Sequence, residues 1–182
     1  MDKRILYTKM VIREVFLGLL EKKGIEKITV REICTLAMIN RTTFYKYYDN
    51  PYDLMDKLEK EVLDELEAKI KENRTTNFID TLRVTLNGIK ENEATYKLVF
   101  KTCDDGEFRN RLFSLCYEEN IKTIDEIFKD DTKEEKEWIY NFIAEGCNGI
   151  LKKWFSSGME APVEDVVRFI CRLVDGINST GK

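Results

Sequence analysis

Apolar side chains recur every three or four residues along most of the chain, with polar residues between them. Ile5, Ile12, Phe16 and Leu19 form the first such stripe, and similar stripes continue almost to the C-terminus. This spacing places the apolar side chains on one face of an α-helix. Helix breakers are scarce, with 2 Pro and 9 Gly in 182 residues. The pattern therefore predicts an all-α protein of about nine helices, one of them running without interruption over residues 108–128.

Capping residues mark several of the predicted helix ends. Thr29 and Glu32 have the spacing of a capping box, and Thr132 and Glu135 repeat it further along the chain. In such a box, each side chain accepts a hydrogen bond from the backbone N–H of the other residue. Gly24 follows the first helix at a position where a C′ glycine is common. These residues predict where the helices begin and end.

Two short helices and a tight turn are predicted between residues 25 and 58. The first helix covers about residues 30–37, residues 38–39 form the turn, and the second helix covers about residues 41–48. Pro51 is suited to the first position of the long helix that follows. This arrangement is typical of a helix-turn-helix, whose second helix enters the major groove of DNA.

The second short helix has an apolar anchor and a polar, basic outer face. Phe44 and Tyr48 are predicted to face inward. Arg41 can reach guanine O6 and N7, and Thr42 or Thr43 can contact a thymine methyl group or a base edge. The alternative is an aromatic helical corner with a solvated basic surface. The predicted DNA-contacting residues are Thr29, Arg31, Asn40, Arg41, Thr42, Thr43, Tyr45, Lys46 and Tyr47. Among them, the tyrosines and the lysine are assigned to phosphates.

Charge is distributed unevenly along the chain, whose net charge is −4. Residues 1–58 contain 11 Lys and Arg against 8 Asp and Glu, a net charge of +3, whereas the remainder contains 19 against 26, a net charge of −7. A mildly basic N-terminal segment (residues 1–58) followed by an acidic remainder indicates that only the N-terminal segment contacts a polyanion. We therefore predict a DNA-binding domain over residues 1–58 and a helical regulatory and dimerisation domain over residues 59–182.

The composition argues against several classes of protein. The chain has no histidine, the commonest general base and the commonest ligand of transition metals. Glu134 and Glu137 have the spacing of paired carboxylates, but familiar di-iron bundles need Glu-x-x-His. We expect no catalysis, no metal site and no cofactor.

The expected compartment is the cytoplasm. No apolar run approaches the roughly 20 residues that span a bilayer, and the first residues lack the apolar core of a secretory signal. The five cysteines are odd in number and widely scattered, which is typical of reduced thiols buried in helical cores. We therefore expect no membrane partner.

Residues 5–58 resemble the TetR family of transcriptional regulators. The resemblance rests on four segments: the Thr29–Cys34 helix start, the Ala37–Asn40 turn, Thr43–Tyr48 in the second helix, and Asp53–Leu54 in the next. It implies an all-helical homodimer that binds a palindromic operator on double-stranded DNA. It also implies a regulator, expected here to be a repressor released by a small effector or a protein partner.

Two positions depart from the family pattern. Met38 stands where Gly is usual, so we expect the backbone of the turn to adopt a conformation acceptable to a side chain. Pro51 stands where a Lys often contacts phosphate, so that contact is expected to be lost. These departures leave one alternative open, a helical interaction module or co-activator that no longer reads DNA by itself.

The last two helices of TetR-like regulators form a four-helix dimer interface, and residues 142–159 are similar to the penultimate helix. A short helix together with residues 153–159 of this run is also similar to the subgroup that includes the dihydroxyacetone-kinase regulator. Small residues would let another helix approach, and buried aromatic residues dominate such contacts; the alternative is packing within one subunit. The predicted interface residues are Gly146, Gly149, Trp154, Phe155, Val167 and Ile170.

Members of the family usually hold an inducer between their middle helices. An aromatic stripe at helical spacing is also what a plain hydrophobic core contains, and that alternative stays open. The residues predicted to line an effector pocket are Phe100, Cys103, Phe113, Tyr117 and Cys147.

Overall fold

A computed structural model describes residues 3–73, 75, 77–102, 107–115 and 124–179. This part of the chain is helical and contains no strand, which confirms the predicted all-α fold. No described helix combines the length and apolar character needed to cross a membrane. Residues 124–127 form a short helical segment. The helices are α1 (Lys3–Lys22), α2 (Val30–Leu36), α3 (Arg41–Tyr45), α4 (Pro51–Glu72), α5 (Phe78–Glu91), α6 (Glu93–Thr102), α7 (Glu107–Ser114), α8 (Lys133–Ser156) and α9 (Val163–Asn178).

The chain forms two compact units. One consists of residues 1–62 and 94–104, and the other of residues 63–93 and 105–182. The helix α4 contributes residues to both units. The predicted division after residue 58 stays a prediction.

The core of the first unit is built around α1. Ile12 and Phe16 of α1 are fully buried, as are Ile33 of α2 and Phe44 of α3. Helix α2 contacts both α1 and α3. The apolar stripe of the first helix thus packs inward, as its spacing predicts.

In the second unit, α9 packs against α5 and α8, and α8 also contacts α7. Polar contacts support this packing at two points. The Arg83 guanidinium of α5 donates to the Glu164 carboxylate of α9 at 2.8 Å. The Lys90 ammonium donates to the carbonyl of Met159, just beyond α8, at 2.9 Å. The buried residues of these helices include Leu82, Leu86, Ile89, Ile143, Leu151, Val166, Val167 and Ile170.

Both predicted capping boxes are present. The Glu32 N–H donates to the Thr29 hydroxyl at 3.2 Å, and the Thr29 N–H donates to the Glu32 carboxylate at 3.2 Å. At the start of α8, Thr132 and Glu135 make the same pair of bonds. The Thr132 hydroxyl is the main cause of a lowered pKa at the Glu135 carboxyl. The box therefore stabilises the fold at neutral pH, and this contribution is lost as the carboxylate is protonated in acid.

Two helix predictions outside the helix-turn-helix are wrong. Gly24 is not a C′ glycine, because its backbone is extended, with φ −64° and ψ 156°, and it leads into a 3-10 turn, Ile25–Lys27. The predicted helix over 108–128 is interrupted at Leu115, which lies in a turn directly after α7. Its N–H donates to the carbonyl three residues back, at 3.3 Å, as in a tightened last turn. Residues 116–123 lie outside the described residues.

We expect Thr132→Ala to lower the free energy of unfolding by about 1 kcal/mol, because it removes the acceptor of the Glu135 N–H. Urea denaturation at pH 7 measures this change. Thr132→Ser is the matched control, since it keeps the hydroxyl and should unfold close to the parent protein. Equal stability of the Ala and Ser variants would contradict the capping role.

Candidate nucleic-acid interface

The helix-turn-helix is formed by α2 and α3, and each helix has its own N-terminal cap. Thr29 caps α2, and Asn40 caps α3. The Asn40 side-chain oxygen accepts the Thr43 N–H at 2.7 Å and the Thr43 hydroxyl at 2.9 Å. An Asn cap satisfies N–H groups that have no partner within the helix. The first turn of α3 is therefore held by a residue outside it.

The turn between the two helices contains a left-handed residue. Met38 has φ 53°, and its side chain is 93% exposed. The Ile39 N–H donates to the Cys34 carbonyl at 3.0 Å, and the Met38 N–H donates to the Thr35 carbonyl at 3.3 Å. These two bonds form a Schellman motif, whose C′ position is left-handed and favours Gly. The expectation that this backbone suits a side chain is therefore wrong: the hydrogen bonds impose a conformation that strains Met38.

Two aromatic rings anchor α3 in the first unit. Phe44 is fully buried, Tyr48 is 4% exposed, and their ring centroids are 5.6 Å apart. Burial raises the pKa of the Tyr48 phenol to about 12. Helix α3 ends at Tyr45 rather than at residue 48, and the N–H groups of Tyr47 and Tyr48 in the following turn both donate to the Phe44 carbonyl. The inward direction predicted for Phe44 and Tyr48 agrees with this burial.

The other side of α3 is exposed and basic. Arg41, Thr42, Tyr45 and Lys46, here called the reading face, are all exposed. They are held on one five-residue helix and its C-cap, so the structure brings them together. Arg31, on α2, is also exposed.

The remaining predicted contact residues are partly engaged within the protein. Thr29 and Asn40 are exposed, but their side chains serve the two caps. Thr43 is half-buried and is bonded to Asn40. Tyr47 is half-buried, and the Lys9 ammonium of α1 lies 5.8 Å from its ring centroid. Sequence reasoning missed Lys9, because the contact joins residues that are far apart in the chain.

The predicted effector pocket falls mostly outside the described residues. Cys103, Tyr117 and the side chain of Phe113 are not described. Phe100 is half-buried and Cys147 is buried. Burial raises the pKa of the Cys147 thiol to about 11. The pocket stays a prediction.

The predicted dimer residues divide into two groups. Gly146 and Gly149 are exposed, and an added Cβ at either would meet nothing within 4 Å. The four larger residues already pack within the chain and have little surface left to bury elsewhere; they are Trp154 (4% exposed), Phe155 (9%), Val167 (2%) and Ile170 (0%).

Other large apolar side chains on α8 and α9 are exposed. Trp138 is 61% and Phe142 69% exposed, one turn apart on α8. Phe169 and Leu173, one turn apart on α9, are 43% and 45% exposed. We refer to these exposed positions of the two helices together as the α8–α9 face; they are Trp138, Phe142, Gly146, Gly149, Phe169 and Leu173.

Residues 76–176 match a TetR family profile that describes the C-terminal region of a transcriptional regulator. The chain belongs to the TetR family of transcriptional regulators. TetR-family regulators bind DNA and dimerise. The resemblance seen in residues 5–58 is thus confirmed by a match to a different part of the chain.

Solved structures of regulators have the same fold. A TetR transcriptional regulator from Streptococcus agalactiae 2603V is 26% identical, with a TM-score of 0.71 over 95% of this chain and 96% of that one. The dihydroxyacetone kinase operon activator DhaS is 21% identical, with a TM-score of 0.63 over 96% and 98%. The fatty acid degradation regulator FadR from Bacillus halodurans is 15% identical, with a TM-score of 0.62 over 92% and 94%. The last two likenesses concern the fold alone.

We expect Met38→Gly to raise the free energy of unfolding by about 1 kcal/mol, because Gly relieves the cost of a side chain at positive φ. Met38→Ala is the matched control, since it removes the exposed side chain but keeps the Cβ that causes the strain. Urea denaturation of both variants gives the comparison. A gain in the Ala variant equal to that in the Gly variant would attribute the effect to the side chain rather than to the backbone.

Proposed function

We propose that this TetR-family protein is a homodimeric repressor that reads a palindromic operator through α3. An effector, either a small molecule or a protein, binds within residues 59–182 and releases the repressor from DNA. The observation that carries the DNA-reading role is the exposed, basic reading face of α3, opposite the buried ring of Phe44. Family membership supports the regulatory role.

The residues around α3 have the chemistry that DNA recognition requires. The major groove is about 12 Å wide and admits one helix. Arg41, in the first turn of α3, has donors that suit guanine O6 and N7, and Thr42 lies beside it. Tyr45, Lys46, Tyr47 and Arg31 are suited to phosphates, which set the position of the protein rather than its sequence preference.

The α8–α9 face supports a two-fold dimer. Exposed aromatic residues are frequent anchors of protein interfaces, and Trp138 and Phe142 are the most exposed large apolar residues of α8. The open backbone at Gly146 and Gly149 permits close approach of a second helix. The anchors proposed here are therefore exposed residues, in place of the buried Trp154 and Val167.

Dimerisation provides the route by which an effector controls DNA binding. Two reading helices must enter major grooves about 34 to 36 Å apart. An effector that binds more tightly to a conformation with another spacing shifts the population away from the DNA-binding state. Residues 59–182 carry a net charge of −7, which disfavours contact with DNA and supports their assignment to regulation rather than to operator contact.

Selection from a random DNA pool should enrich a palindrome that the dimer binds with strong salt dependence.

We expect Arg41→Ala to weaken binding to that operator by about 5- to 150-fold and to relax specificity at one base pair of each half-site. Fluorescence anisotropy at two salt concentrations measures both effects. Lys22→Ala, an exposed basic residue at the end of α1, is the control and should bind like the parent. A folded dimer that enriches no sequence would favour the alternative interaction module.

Phe142→Glu should convert the dimer to monomers, because it places a charge on the α8–α9 face. Sedimentation equilibrium measures the association state. Tyr52→Glu is the matched control, since Tyr52 is an exposed aromatic residue of α4 outside that face. If the Phe142→Glu variant is still a dimer, the interface lies on another surface.

A further inference from the structure

Helix α3 is too short to hold its own conformation. It has five residues, whereas isolated helices shorter than about 12 to 15 residues are marginal in water. The carbonyl groups at its C-terminal end also lack partners within the helix. The orientation of the reading face must therefore come from contacts made by other elements.

Two charged residues of α4 contact the segment that leaves α3. The Lys57 ammonium donates to the Tyr47 carbonyl at 2.9 Å and to the Asp53 carboxylate at 2.8 Å. The same Asp53 oxygen accepts the Asp49 N–H at 2.8 Å. The ammonium also lies 5.5 Å from the centroid of the Tyr48 ring. One ion pair thus binds a carbonyl and an N–H on either side of the Tyr48 anchor.

The pair is itself fixed by its position on the helix. Asp53 and Lys57 are separated by four residues, with the acid nearer the N-terminus, which is the favourable orientation for such a pair. The pKa of the Asp53 carboxyl is lowered, first by Lys57 and then by the Asp49 N–H. Charge-assisted hydrogen bonds of this kind are shorter and stronger than neutral ones. The start of α4 is held in turn by Asn50, whose side chain accepts the N–H groups of Tyr52 and Asp53.

We propose that Asp53 and Lys57 form a clamp that fixes the exit of α3 and thereby orients Tyr45, Lys46 and Tyr47 toward DNA. Both are positioning residues that act through residues 47–49 rather than by touching DNA. The inference rests on the proposed DNA-reading function. It assigns to α4 an indirect contribution to operator affinity.

The first test is Lys57→Met, which keeps an unbranched side chain beside Tyr48 but removes the donor. We expect operator affinity to fall by about 3- to 10-fold, with the slope of log K against log salt unchanged. Lys57→Arg should recover part of the loss. A slope reduced by about 1 would show a direct phosphate contact and overturn the positioning role. Unchanged affinity would also overturn the positioning role.

Lys71→Met is the matched control, because Lys71 also forms an ion pair with a Glu four residues before it on α4. It should bind the operator like the parent protein. Asp53→Asn completes a double-mutant cycle with Lys57→Met. The two losses should be less than additive if the residues act as one unit, whereas fully additive losses would contradict a clamp.

Amide hydrogen exchange tests the clamp without DNA. The Asp49 amide should exchange faster in Asp53→Asn and in Lys57→Met than in the parent and Lys71→Met proteins. Circular dichroism and urea denaturation confirm that all variants are folded. If the parent enriches no operator but Asp49 exchange responds as expected, the proposed function fails and the clamp stands. If the operator is bound but exchange and affinity do not respond, the clamp fails alone.

Discussion

The surface assigned to DNA depends on a helix that cannot form alone. Helix α3 has five residues, so its conformation is imposed at both ends and along one side. Asn40 satisfies its first turn, burial of Phe44 holds it against the first unit, and the clamp binds the segment that follows it. These contacts hold both ends and the buried side of the helix, and its exposed side presents the reading face.

The turn before α3 shows the cost of that arrangement. The bonds from Ile39 and Met38 to carbonyls of α2 close a Schellman motif and set the angle at which the chain leaves α2. Met38 is held at positive φ although its own side chain gains almost no burial. The strain is local, and the hydrogen bonds around it offset that strain.

The second unit is organised by long helices with more apolar surface than one chain can cover. Helix α8 buries Trp154 and Leu151 while leaving Trp138 and Phe142 in solvent. A helix with apolar residues on two faces can pack one of them within its own chain. The other stays in solvent in the single chain, and the proposed dimer would bury it against the same face of a second copy.

Features that depend on neighbours in the chain could be predicted from the amino-acid sequence by itself: the all-α fold, both capping boxes, Pro51 at the start of α4, and the inward side of α3. Each follows from spacing of one to four residues, which backbone geometry converts directly into contact. Tertiary structure alone decided the positive φ of Met38, the break at Leu115, the clamp contact between Lys57 and Tyr47, and the exposure of Phe142 rather than Trp154. Periodicity identifies an apolar face. Whether that face is buried by other parts of the same chain is decided only by the tertiary structure, because burial depends on elements distant in sequence.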